Sequence, residues 1–91
     1  MTALKPMHVK VRDTADIVFE GQVDRITSHN EVGEFDIFPM HANFISIIKK
    51  KLSLYLKGKL LKEIKFSQAV LKSKQDIVDI FLGIDELVVE S

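Results

Sequence analysis

Leu52-Ser53-Leu54-Tyr55-Leu56-Lys57-Gly58-Lys59-Leu60-Leu61-Lys62-Glu63-Ile64-Lys65-Phe66-Ser67 is the stretch on which the fold turns. Leu52, Leu54 and Leu56 alternate with Ser53, Tyr55 and Lys57, the period of two that puts apolar side chains on one face of a strand. Lys57-Gly58-Lys59 interrupts that pattern with a turn, and residues 60–67 run back, so the stretch reads as a β-hairpin. Leu60, Leu61 and Ile64 also fit a helical stripe, but Gly58 and the β-rich flanks favour strand.

Similar segments lie on either side. Val9 and Val11 point one way while His8, Lys10 and Arg12 point the other, which predicts a half-buried first strand. Residues 17–19 and 23–27 read as two strand pieces joined at a bulge or bend near Gly21. Phe35 and Ile37 share a face in a short strand that Pro39 ends, because proline has no N–H to give a ladder. Residues 44–48 are apolar on both faces, as in a central strand between two layers. Lys49, Lys50 and Lys51 read as a solvated turn that keeps an edge from pairing. Ala69 and Leu71 belong to a further strand, residues 73–76 turn, and residues 77–82 form the last strand. Turn signals every 8 to 12 residues or so predict an all-β fold, a sandwich of two antiparallel sheets.

The chain has 91 residues, enough for one core: a single domain over residues 7–91 after a short extension, 1–6. With 46% apolar residues and no cysteine, packing alone must hold it. Thirteen basic and thirteen acidic side chains cancel, which removes the bulk attraction to nucleic acid. The longest apolar run, around Ser46, falls far short of the roughly 20 residues that span a bilayer. The first six residues lack a signal-peptide core, so a bacterial-type cytoplasmic address is expected.

The residues offer little chemistry. His8, His29 and His41 are too far apart in sequence for a local metal motif. There is no nucleophile elbow and no glycine-rich phosphate loop, so neither catalysis nor a cofactor, metal or other small-molecule ligand is expected. Five of the six phenylalanines lie in apolar segments and read as core, not as a base-stacking face.

A different kind of signal lies in residues 31–42, Glu-Val-Gly-Glu-Phe-Asp-Ile-Phe-Pro-Met-His-Ala. Together with Phe19-Glu20-Gly21-Gln22-Val23-Asp24-Arg25 upstream, this resembles the epsilon subunit of the F-type ATP synthase (delta in mitochondrial naming), whose amino-terminal domain is a β-sandwich. A looser match runs over the hairpin at Gly58 to Asp85. Departures are Asp36 for a second glycine, Asn43 for a proline, Gln68 and Ala69 for a glycine pair, and Lys49 to Lys51 for a lysine-proline-glycine turn. The two-helix hairpin that brakes hydrolysis in many relatives, and binds ATP in some, is not expected here.

The resemblance implies a non-catalytic central-stalk subunit that couples proton or sodium translocation to ATP synthesis. Its partners would be the gamma subunit and the c-ring, on the cytoplasmic face of a bacterial inner membrane, without membrane insertion. It implies that Glu31, Gly33 and Glu34 meet the c-ring, with Gly33 aiming Glu34. It places Phe38, Met40, His41 and Ala42 at gamma. Two other readings are open: a diverged stand-alone β-sandwich interaction module, and a small β-barrel nucleic-acid binder, which zero net charge disfavours.

Overall fold

The computed structural model describes residues 5–40 and 43–83, and all regular structure among them is β-strand. In chain order the strands are β1 (Met7–Arg12), β2 (Ile17–Val23), β3 (Arg25–His29), β4 (Glu34–Ile37), β5 (Phe44–Leu56), β6 (Lys59–Lys74) and β7 (Ile77–Phe81). They hydrogen-bond in the order β2-β1-β7-β6-β5-β3-β4. All neighbours are antiparallel except β1 and β7, which are parallel.

The expected all-β sandwich is present, built as one continuous hydrogen-bonded sheet that serves both layers. The first half of β5 and the second half of β6 lie beside β7, β1 and β2; their other halves lie beside β3 and β4. Met7, Val9, Val11, Val78 and Ile80 from one layer share a buried cluster with Ile26, Ile37, Leu52 and Leu54 from the other.

Serving two layers requires a bend that keeps one face on the core: β5 buries even-numbered residues in both halves, Ile48 and then Leu52 and Leu54, whereas β6 changes phase. In the hairpin half of β6, Ile64 and Phe66 pack on the core; in the far half, Ala69 and Leu71 are buried. Even numbers give way to odd because Ser67 has no partner: Lys50 pairs with Phe66 and Lys49 with Gln68. This bulge re-aims the strand so that both halves face inward. Opposite it Lys50 takes φ 75° and stays exposed.

The lysine run is thus a bend within a strand, not the expected turn. Lys49 pairs with His29 on one side and Gln68 on the other, and Lys51 pairs with Lys65. β3 skips across the same bend, from Leu52 at Ser28 to Lys49 at His29, and the fully buried Ser28 hydroxyl donates to the Lys51 carbonyl at 2.7 Å. That bond satisfies a backbone acceptor which the irregular ladder leaves to a side chain. The glycine pair expected at residues 68 and 69 is therefore not needed for the bend. Residues 17–23 also form one strand through Gly21, with its irregularity near Val18.

The two-residue turns of the β5–β6 and β6–β7 hairpins use left-handed backbone. Lys57 and Gly58 have φ of 52° and 79°, as a two-residue turn matching strand twist requires, and Gln75 and Asp76 have 52° and 62°. The β1–β2 turn is closed by Asp13, whose Oδ1 accepts the Ala15 and Asp16 N–H groups at 2.8 Å each.

Ser28→Ala leaves the Lys51 carbonyl without that donor in a buried setting and is expected to lower the unfolding free energy by about 1–2 kcal/mol in urea titration. The Asp13 carboxyl lies below its ordinary value because the Asp16 and Ala15 amides bond its ionised form. A depressed carboxyl stabilises the fold above its unfolded pKa, and that contribution disappears as pH falls through the folded value. The melting temperature of Asp13→Asn should therefore lie below wild type at neutral pH and converge with it in strong acid.

Candidate functional site

β4 holds the region singled out by sequence, with one loop at each end. At its start, Asn30 organises the turn from β3: its N–H donates to the Gly33 carbonyl at 3.0 Å, and its Oδ1 accepts from Val32 and Gly33 at 2.8 and 3.2 Å. Gly33 has φ 144°, and a Cβ there would meet nothing within 4 Å. The requirement for glycine is thus one of backbone conformation, not of space. Glu31, Val32 and Glu34 are exposed around this turn, Val32 to 96%. Glu34 opens β4 opposite His29.

Asp36, where the resemblance has glycine, sits across from Thr27 and accepts its hydroxyl at 2.6 Å. Its φ is not among the positive values, so the position does not depend on glycine.

At the far end of β4, Ile37 and Pro39 are buried while Phe38 and Met40 project outward, Met40 to 74%. Met40 has φ 67°, a left-handed conformation that a long side chain rarely takes. What holds it is Asp76 in the β6–β7 turn, whose Oδ1 accepts the Met40 N–H at 2.6 Å. Asn43 returns the contact, its Oδ1 accepting the Gln75 N–H at 2.9 Å. Each connection therefore supplies one carbonyl or carboxylate oxygen to the other. His41 and Ala42 lie outside the described residues.

The two exposed loops are separated by β4, about 13 Å along the strand. They are two surfaces, and Glu34 does not come together with Phe38 or Met40.

Sequence reasoning missed a third feature. Residues 44–48 were expected to be covered on both faces, yet Ile45 and Ile47 are exposed. Ile47 lies across from Val70, Val70 from Phe81 and Phe81 from Arg12, so an apolar row crosses three strands and ends where the Arg12 guanidinium lies 4.5 Å from the Phe81 ring centre. A shallow depression joins Ile45 and Ile47 to Asn30, Glu31 and Val32. The signal was present in the sequence: a strand apolar on both faces needs a second cover, and a docking partner serves as well as a second layer. Among the described residues no group of three His, Asp or Glu side chains is placed to hold a metal ion.

The fold is a small β-sandwich: a continuous sheet wrapped around one core, with two buttressed loops and the exposed Ile45 and Ile47 on its outer face. The chain belongs to the family described as ATP synthase, delta/epsilon chain, beta-sandwich domain, whose model matches residues 6–83.

Solved structures with the same fold include a chain of the Euglena gracilis mitochondrial ATP synthase, in an assembly of OSCP, F1 and c-ring in rotational state 1. The TM-score is 0.78 at 15% identity, covering 90% of this chain and 53% of that one. Another is a chain of the Tetrahymena thermophila mitochondrial ATP synthase central stalk and c-ring, with TM-score 0.68 at 12% identity, covering 89% and 66%. At these identities the likeness is one of fold. The chain spans about half the length of the first match. Comparison with curated proteins gives no significant match.

Asp76→Gly keeps the left-handed backbone accessible but removes the acceptor for Met40. Amide hydrogen exchange at Met40 is expected to speed up at least tenfold, whereas global stability changes by less than about 1 kcal/mol. Asp76→Asn, which retains an Oδ1 acceptor, should stay close to wild type.

Proposed function

We propose that the chain is a non-catalytic rotor subunit of an F-type ATP synthase, seated at the foot of the central stalk, where it couples ion translocation through the c-ring to ATP synthesis. The observation that carries this reading is the family match over residues 6–83. The likeness in fold to chains from assemblies that contain a central stalk or c-ring supports it.

In this reading Glu31 and Glu34 meet basic groups on the polar loops of the c subunits, and Gly33 sets the direction of Glu34. Phe38, Met40, His41 and Ala42 form the contact with gamma, with Phe38 and Met40 as the apolar anchors that interface centres favour. Transmission of torque requires contacts that do not shift relative to each other. A close-packed core and strands shared by both layers meet that need, since such a body deforms little under load. The Asn30 turn and the Asp76–Met40 contact extend the same stiffness to the loops.

The sequence-based address is the cytoplasmic face of a bacterial inner membrane, whereas the two similar structures are mitochondrial. Common to both is a peripheral place on the F1 sector at the membrane, and that is the location we propose. The described residues contain no helix long and apolar enough to cross a membrane.

Glu34→Gln tests the ring contact. An exposed charge contributes only about 0.5 kcal/mol to folding, but a charge pair across an interface is worth about 1–3 kcal/mol of binding. The melting temperature should stay nearly constant while coupled ion pumping in reconstituted vesicles falls, and the difference from wild type should shrink as salt rises. Gly33→Val should do the opposite and harm the fold first. A marked loss of melting temperature in Glu34→Gln with coupling intact would make the residue a structural one and end the assignment.

A further inference from the structure

The layer formed by β2, β1, β7, β6 and the first half of β5 turns three rows of side chains outward, because the alternate residues Val9, Val11, Leu71, Val78 and Ile80 are fully buried. Strand register defines the rows. One is Gln22, His8, Ile77 and Lys74; the middle one is Glu20, Lys10, Asp79, Lys72 and Ile45; the third is Ile17, Arg12, Phe81, Val70 and Ile47. Ile17, Ile45, Ile47 and Ile77 are each exposed by 49% or more. So much apolar surface on one sheet face calls for a cover.

The middle row says which cover fits. From β2 to β6 its charges alternate: Glu20 negative, Lys10 positive, Asp79 negative, Lys72 positive. Glu20 is engaged by the His8 ring at 2.9 Å, whereas Lys10, Asp79 and Lys72 form no ion pair among the described residues. An alternating row of four charges, turned end for end, is its own complement.

We propose that this face pairs with the same face of a second copy of the chain, around a two-fold axis that runs parallel to the strands between β1 and β7. The rotation reverses strand order and keeps each row opposite itself. Lys10 then faces Asp79 of the partner subunit, Glu20 faces Lys72 of the partner subunit, and Arg12 faces Phe81 of the partner subunit. Packed sheets lie about 10 Å apart, a gap that opposed charged side chains span. Charge selects this axis: one through β7 would set Asp79 against its own equivalent and Lys10 against Lys72 of the partner subunit. An axis across the strands, along the middle row, would set every charge against itself.

Four strands and three rows cover about 19 by 13 Å per copy, roughly half a standard contact, so the dimer is weak, with a Kd on the order of 100 µM. The face adjoins both loops of β4, since Asp76, next to Ile77, holds Met40, and the depression joins Ile45 and Ile47 to Asn30. The dimer is therefore a state of the free chain, one that an assembly covering either loop displaces, and it does not depend on a place in a rotor.

Sedimentation equilibrium of the full chain from about 10 µM to about 1 mM tests the pairing. The weight-average mass is expected to rise from monomer toward dimer, and added salt should weaken the association. Lys10→Asp and Asp79→Lys each create like-charge contacts at two symmetric places and should each weaken the dimer at least tenfold. Mixed in equal amounts, these two variants are complementary at both places and should associate within about threefold of wild type. Glu20→Lys and Lys72→Glu repeat the test at exposed positions, where folding is insensitive to the exchange. A chain that stays monomeric over the whole range would overturn the proposal. So would mixtures that fail to restore association, which would put any wild-type dimer on another surface.

Discussion

A strand pair that lines both layers of a sandwich must bend between them while keeping one face on the core, and this constraint shapes the rest of the molecule. Ser67 supplies the extra residue, Lys50 accepts left-handed backbone, and the buried Ser28 hydroxyl reaches the Lys51 carbonyl beside the bend. Without that rephasing, Gln68 and Val70 would take the inward positions now held by Ala69 and Leu71, and one layer would lose its share of the core. Because β5 and β6 span both layers, the loops attached to either layer are joined through a common pair of strands.

This arrangement also explains how a chain of this size presents separate surfaces. β4 is short, so the Asn30 turn and the Met40 connection sit close to the body, the first closed on itself by the Asn30 N–H and side chain and the second held by the Asp76 carboxylate. The apolar row from Ile47 to Phe81 lies on the outward face of the layer whose inward face is fully buried. Charge is separated as well as shape: acids flank β4, while lysines crowd the β5–β6 hairpin.

Much of the fold was legible in the sequence because it rests on local patterns. The hairpin at Gly58, the alternation in β1 and the stop at Pro39 each depend on residues adjacent in the chain. The bend at Lys50 was misread because three consecutive lysines signal solvent exposure whether they lie in a turn or on a bulge. The parallel pairing of β1 with β7 has no local signature at all, since it joins the two ends of the domain. Of the candidate site, Glu31, Gly33, Glu34, Phe38 and Met40 could be read from a motif, as could His41 and Ala42 outside the described residues. The groups that hold the loops, Asn30 and Asp76, could not: an asparagine before a turn is common, and the contact of Asp76 with Met40 spans 36 positions in the chain. Ile45 and Ile47 were assigned to the interior for the same reason that makes them candidates for docking, namely that apolar side chains on both faces look alike whether the cover is internal or comes from a partner.

The most direct measurement is cryo-electron microscopy of the ATP synthase purified from the native cell through a tag on this chain. A rotor subunit of the kind proposed would appear at the foot of the central stalk, with residues 30–34 toward the c-ring and residues 38–40 against gamma. Purification of the tagged chain without F1, or a position on F1 in which both ends of β4 face solvent, would contradict that assignment.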